Sequence, residues 1–252
     1  MLSNKIIHSA RFELPPLDIH PEGSILVFDK PYRCTSFDLV NKIKHYIKRG
    51  MKMKLKVGHA GTLDPLATGV LVIAIGKATK KIPQIQAAEK EYTGTFRVGA
   101  TTPSFDLEKE MDHEYGYLHI TKELAQQVAR TFLGEVEQIP PQFSAVKIDG
   151  KRAFEFARAG KEIEIKPKFV TISEFEITRF VLPDIDFRIV CSKGTYIRSI
   201  ARDFGKSLQS GAHLTALRRT RIGEFSVDRA IQLVTSASAT ISATDFISTL
   251  NP

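Results

Sequence analysis

Runs that read as strands outnumber runs that read as helices, and they come in groups with helices set singly between them. SILVFDKP (24–31) reads as a buried strand stopped by Pro31. MKMKLKV (51–57) alternates apolar residues with Lys52, Lys54 and Lys56 on one side, as a half-buried strand does. EYTGTFRV (91–98) alternates too, with Tyr92, Gly94, Phe96 and Val98 sharing a face. VLVIAIG (70–76) is apolar throughout, and EVEQI, QFSAVKI, EIEI, FVTISEFEITRF, DIDFRIVCS and HLTALRRTRIGEF supply further strands. This ordering predicts an α+β fold with a mixed, largely antiparallel sheet, and not a doubly wound parallel one.

Three helices are expected. Ser36 is predicted to cap FDLVNKIKHYIKR, in which Leu39, Ile43, Tyr46 and Ile47 recur at helical spacing and Lys42, Lys44, Lys48 and Arg49 make a basic outer face. Thr121 caps KELAQQVARTFLG, with Gly134 as its stop, and a third helix runs from about Tyr196 to Leu208. Residues 1–23 are irregular, 24–228 hold the strands and motifs, and a Ser/Ala/Thr-rich tail occupies 229–252.

The 252 residues suffice to bury a sizeable core. Lys and Arg total 36 against 28 Asp and Glu, and the net charge of +8 suits a polyanionic partner without requiring one. The two cysteines, Cys34 and Cys191, lack metal-ligand or disulfide spacing and are expected as core residues in a reducing compartment. The longest apolar run falls far short of the ~20 residues a membrane helix needs, and a cytoplasmic protein is expected.

GHAGTLDPLATG (58–69) packs three glycines, a histidine and a carboxylate between a basic run and an apolar strand. Asp64 before Pro65 suits a turn, its carboxylate accepting backbone N–H groups. The setting also suits catalysis, because glycines admit a ligand close to the backbone and neighbouring lysines draw a polyanion. His59 and Asp64 have no third ligand beside them, so no metal is expected. Gly76-Lys77 is not a P-loop, since Ala78 stands where a hydroxyl is needed. In CSKGTYIRSIARDFG (191–205), a buried strand ends at Lys193-Gly194, and Thr195, Tyr196 and Arg198 sit at a helix start. Tyr196 reads as a core aromatic, and Arg198 as a phosphate contact or a bidentate partner for a carboxylate.

The blocks VFDKPYRCTSFDLVNKIK, GHAGTLDPLATGVLVIAIGKATK, EYTGTFRVG, PPQFSAVKIDGKRAFEFARAG, CSKGTYIRSIARDFG and LTALRRTRIGEF, in this order from about 24 to 228, resemble those of the TruB-type family. These are tRNA pseudouridine synthases acting on the uridine at position 55 in the TΨC arm. The resemblance implies the pseudouridine synthase fold around a central active-site cleft. It also implies isomerisation of that uridine without metal or cofactor, with Asp64 as the essential carboxylate. Attack at C1′, attack at C6 and a glycal route each need that carboxylate ionised beside the nucleotide. Tyr92 is similar to the residue stacking on the target uracil, Arg198 to the partner of the catalytic Asp, Tyr196 to a second active-site Tyr, and Leu217 to an apolar residue lining the uracil site. His59 matches a residue that enters the RNA loop. Lys147, Lys151, Arg152 and Arg158 fall in the RNA-gripping insertion.

Flipping a uridine costs a few kcal/mol, and stacking on an aromatic returns ~1–3 kcal/mol of it. The vacated space invites a planar side chain such as His59. Many members carry a C-terminal PUA domain, for which 229–252 is too short, so the expectation is a monomer holding tRNA by its catalytic domain. Two other readings are a non-catalytic RNA-folding protein, which has no need of Asp64, Tyr92 and Arg198 together, and an N-glycosidase, which needs a positioned water and often a second carboxylate.

Overall fold

A computed structural model describes residues 12–148, 150–161 and 163–235. Contacts divide them into two units, one of residues 12–86 with 224–235 and the other of residues 87–223. In both, the sheet is built of antiparallel pairs.

In the first unit, strand Gly23–Lys30 pairs along its whole length with Thr68–Gly76, from Gly23 opposite Gly76 to Lys30 opposite Gly69. Val57–His59 also pairs with Thr68–Gly76. The apolar run of Thr68–Gly76 is buried from Gly69 to Ile75. Helix Ser36–Tyr46 turns Leu39, Val40 and Ile43 inward against Phe28, Leu71, Ile73 and Ile75. Complete burial of each large aliphatic chain is worth about 1.5–3 kcal/mol.

The cap of this helix is Thr35 and not Ser36. Thr35 Oγ1 accepts from the Asp38 amide at 3.0 Å, and Asp38 Oδ2 accepts from the Thr35 amide at 2.9 Å. Two hydroxyl residues stand side by side, and the one followed by a carboxylate three places on closes the box. The helix runs into a π-helical turn, Ile47–Met51, ended by Lys52 at φ 53°.

MKMKLKV is not a strand over most of its length, since pairing begins only at Val57. The predicted alternation survives nonetheless. Met53 and Leu55 pack on the core while Lys52, Lys54 and Lys56 are exposed. Phe12 and Ile19 join the same core, and Phe12–Glu13 pairs with Val234–Thr235, so parts of the expected irregular segment and tail are built into this unit. The rest of both, 1–11 and 236–252, lies outside the described residues.

In the second unit the strand order is Ala212–Ile222, Lys90–Val98, Asp184–Cys191, Lys168–Val181 and Gly134–Gln138. Helices Lys122–Thr131 and Ile197–Ser207 pack on it. Phe96 stacks on Phe187 at 4.1 Å between centroids, and Phe175 and Phe204 stand 5.6 Å apart beside them. Gly94 is required here: a Cβ would lie 2.4 Å from the Ala216 carbonyl oxygen and 2.7 Å from the Phe187 ring.

Thr121 caps its helix as predicted, accepting from the Leu124 amide at 3.2 Å, but the helix ends at Thr131 and Gly134 opens a strand. QFSAVKI is extended only as Lys147–Ile148, paired with Lys151–Arg152, and 163–165 of EIEI make no strand. Burial pushes the thiols of Cys34 and Cys191 up to about 11, which leaves both as inert core groups. Among the described residues no helix is long and apolar enough to cross a membrane.

Candidate active site

The candidate residues fall into two sets, one in each unit. His59 and Asp64 belong to the first. His59 ends strand Val57–His59 opposite Ile73. From Gly61 to Ala67 the chain is neither helix nor strand. Gly61, at φ 107°, and Gly69, at φ 103°, bracket this loop in the left-handed region that glycine tolerates.

Backbone and side-chain hydrogen bonds hold the loop around Asp64. The Asp64 carbonyl accepts from the Ala67 amide at 3.1 Å, closing a turn over Pro65 and Leu66. Ser36 Oγ accepts from the Leu63 amide at 2.9 Å and donates to the Leu63 carbonyl at 3.2 Å. Lys30 Nζ, wholly buried, donates to the carbonyls of Pro31 at 2.9 Å, Cys34 at 2.6 Å and Pro65 at 3.4 Å. The loop is thus tied on each side of Asp64 to the Gly23–Lys30 strand and the helix that follows it. Lys52, Lys54 and Lys56 are exposed on the approach to this loop along the chain.

The second set gathers around strand Lys90–Val98 and the start of helix Ile197–Ser207. Tyr92 faces Arg219 across one ladder and Ile189 across the other, while Leu217 faces Gly94. Tyr92, Gly94, Leu217 and Arg219 therefore share one face of the sheet. Tyr196 is the cap residue of the helix. Gln138 holds it by both backbone groups, Oε1 accepting from its amide at 2.8 Å and Nε2 donating to its carbonyl at 3.2 Å. Lys168 Nζ lies 4.4 Å from the centre of the Tyr196 ring and donates to the Gly194 carbonyl at 2.5 Å. Burial lowers the pKa of this amine.

Arg198 is 5% exposed. It donates to the carbonyls of Phe143 at 2.9 Å and Ser104 at 3.3 Å, and its Nε lies 3.7 Å from Asp106 Oδ2. A buried guanidinium needs such partners, because an uncompensated charge in the interior is costly. Lys147, Lys151, Arg152, Arg158 and Lys193 are exposed. Arg152 donates to the Ala145 carbonyl at 2.6 Å, and Arg158 lies 5.2 Å from the Phe154 ring centre.

Sequence reasoning missed Ser36 as a site contact, together with Lys30, Asp106, Gln138 and Lys168. Lys30 carried a signal, a lysine closing an apolar strand where solvent is scarce. The others act on backbone or charge partners 26 to 92 residues away in the chain, and no local pattern encodes such contacts.

The description "TruB family pseudouridylate synthase (N terminal domain)" matches residues 48–197, and a tRNA pseudouridylate synthase B C-terminal domain matches 198–246. The chain belongs to the TruB family. Its members are pseudouridine synthases, which are isomerases. The tRNA pseudouridine synthase B of Flavobacterium johnsoniae is 58% identical over 214 residues, covering 84% of this chain and 93% of that relative. The protein of the same name from Thermobifida fusca is 43% identical over 217 residues, 83% of this chain and 72% of the relative. A crystal structure of a Cbf5-Nop10-Gar1 complex contains a chain of the same fold, with TM-score 0.61 and 26% identity. That match covers 92% of this TruB-family chain and 63% of the solved one. Among the described residues no three His, Cys, Asp or Glu side chains gather as metal ligands would.

Proposed function

We propose that this TruB-family enzyme isomerises the uridine at position 55 in the TΨC arm of tRNA to pseudouridine, with Asp64 as its catalytic carboxylate. The observation that carries the reading is the loop around Asp64. A carboxylate stands on an irregular segment bracketed by two left-handed glycines and tied down on both sides by buried side chains. Loops held rigidly in this way are where catalytic groups concentrate. The names of the close relatives support tRNA as substrate.

The reaction breaks the N1–C1′ bond, turns the uracil and joins C5 to C1′. The C5 proton leaves and N1 gains one, so the atoms balance without a co-reactant. An ionised Asp64 serves at the ribose, at C6 or as the base of a glycal route. Tyr92 stacks on the extruded uracil, beside Leu217 on the same sheet face. Arg198 and Tyr196, at the start of helix Ile197–Ser207, serve the reaction as active-site residues. His59 enters the RNA loop and fills the space the uridine leaves. Exposed Lys52, Lys54, Lys56, Lys147, Lys151, Arg152, Arg158 and Lys193 contact phosphates, giving affinity that falls with salt. In this reading residues 24–228 are the catalytic region of a cytoplasmic monomer that needs no cofactor.

Asp64→Asn is expected to abolish pseudouridine formation on unmodified tRNA while tRNA binding persists. Chemical mapping of pseudouridine reads both the activity and the position. Turnover by an Asp64→Asn enzyme shown free of deamidation would overturn the assignment.

A further inference from the structure

The segment that carries Asp64 lies in neither helix nor strand, so side-chain tethers share with its own turn the work of fixing its backbone. One such tether, on the residue directly before Asp64, is Ser36. Its single oxygen makes both hydrogen bonds of the Leu63 backbone, accepting from the amide at 2.9 Å and donating to the carbonyl at 3.2 Å. A neighbouring strand would supply the same pair of contacts from two backbone groups. Ser36 and Leu63 are each 3% exposed, so solvent does not compete for either bond.

Ser36 is free for this task because Thr35 and Asp38 close the helix cap. It is also held firmly, in the first turn of a helix that buries Leu39, Val40 and Ile43. The position of residue 63 is thereby referred to the rigid core of the unit, one peptide bond before Asp64.

We propose that Ser36 is a positioning residue for the reaction, its hydroxyl fixing the Leu63 backbone so that the Asp64 carboxylate meets the nucleotide in a reactive orientation. The inference rests on Asp64 being the catalytic carboxylate. Ser36 itself touches no reacting atom. Reaction rates fall steeply when a reacting group is displaced by even an ångström.

Single-turnover conversion of unmodified tRNA, with enzyme in excess, separates positioning from folding. At saturating enzyme the rate constant reports the bound, folded enzyme, and circular dichroism of the same preparation reports how much of it is folded. Ser36→Ala is expected to slow the rate constant about tenfold to a hundredfold with an unchanged circular dichroism spectrum and unchanged tRNA affinity. Ser36→Cys keeps the volume but offers only a weak donor and acceptor, and is expected to slow in the same way. It decides the matter if Ser36→Ala fails to fold.

A wild-type rate constant in either folded variant overturns the inference, and so does slow conversion that saturating enzyme restores to the wild-type rate constant. Asp64→Asn is measured alongside. If it is inactive while the Ser36 variants turn over normally, only the positioning role fails. If it is active, the reading of Asp64 fails.

Discussion

Each unit buries one lysine among the described residues, and the two are treated differently. Lys30, 0% exposed, lies among the carbonyls of Pro31, Cys34 and Pro65. Lys90, 6% exposed, donates to the Ala88 carbonyl at 2.5 Å and has the cations of Arg219 and Lys193 nearby. Burial, and then the Arg219 charge, lower the Lys90 pKa from 10.5 to about 8. The first lysine is a staple: chain bent around its ammonium supplies converging dipoles, with Arg33 at φ 58° inside the bend. The second is a conditional charge whose state the solvent pH decides. A buried cation is therefore not a structural motif by itself. What it does depends on whether dipoles or like charges face it.

Lys30→Met should give the largest change in stability. Met matches the apolar stem but leaves the Cys34 and Pro31 carbonyls without that donor. Buried groups left without a partner cost about 1–3 kcal/mol each, and hydrogen bonds from a charged donor lie at the upper end. We expect a loss of about 3 kcal/mol in urea unfolding. Because Pro65 also loses its contact, single-turnover activity should fall in the part of the protein that stays folded. An unchanged unfolding midpoint would remove the distinction between staple and conditional charge.

Lys90→Met should move stability the other way. With the folded pKa below the unfolded one, the unfolded chain holds a proton that the native protein lacks between about pH 8 and 10.5. Wild-type stability therefore rises across that window as Lys90 sheds its charge, and is lowest below it. Met cannot ionise, so it escapes the cost of keeping an ammonium buried. We expect the variant to be more stable at pH 7 by about 1–2 kcal/mol, after allowance for the lost bond to Ala88. The gap should close on raising the pH toward 10.5. A gap that does not change with pH would mean that Lys90 is solvated as ordinary lysines are.

The long strands and the Thr121 cap were legible because their signals are local. Alternation marks Lys90–Val98, and Thr121 precedes its helix in the usual way. The burial of Met53 and Leu55 was legible from alternation as well, but their strand was not: alternation reports which side is dry, while pairing requires a partner elsewhere in the chain. Ser36 shows the same limit within the site. Its residue type announced a cap, and Thr35 beside it had the better geometry once Asp38 is counted. The hydroxyl instead meets Leu63, 27 residues away, a contact visible only when the helix lies on the loop. The candidate residues themselves rest on motif resemblance. The groups that hold them, Gln138 on Tyr196 and Asp106 beside Arg198, were not, since they are ordinary polar residues until the fold brings them there.

The smallest effect should come from a charge pair that looks strong on geometry alone. Arg97 grips Asp184 with two parallel bonds, Nε to Oδ1 and Nη2 to Oδ2, both at 2.8 Å. Yet the two side chains are 47% and 26% exposed, so water solvates each ion nearly as well in the separated state. Exposed pairs contribute about 0–1 kcal/mol, the two-point geometry placing this one toward the upper end. Arg97→Ala should therefore cost less than about 1 kcal/mol in urea unfolding, and the difference should shrink further in about 1 M salt, where the screening length falls to roughly 3 Å. A cost matching that of Lys30→Met would show that surface charge geometry, and not the dipoles converging on a dry ammonium, governs what a cation is worth in this protein. A small, salt-sensitive cost beside a large one at Lys30 would assign the difference to burial, since both cations are met by well-placed oxygens and only one of them is denied water.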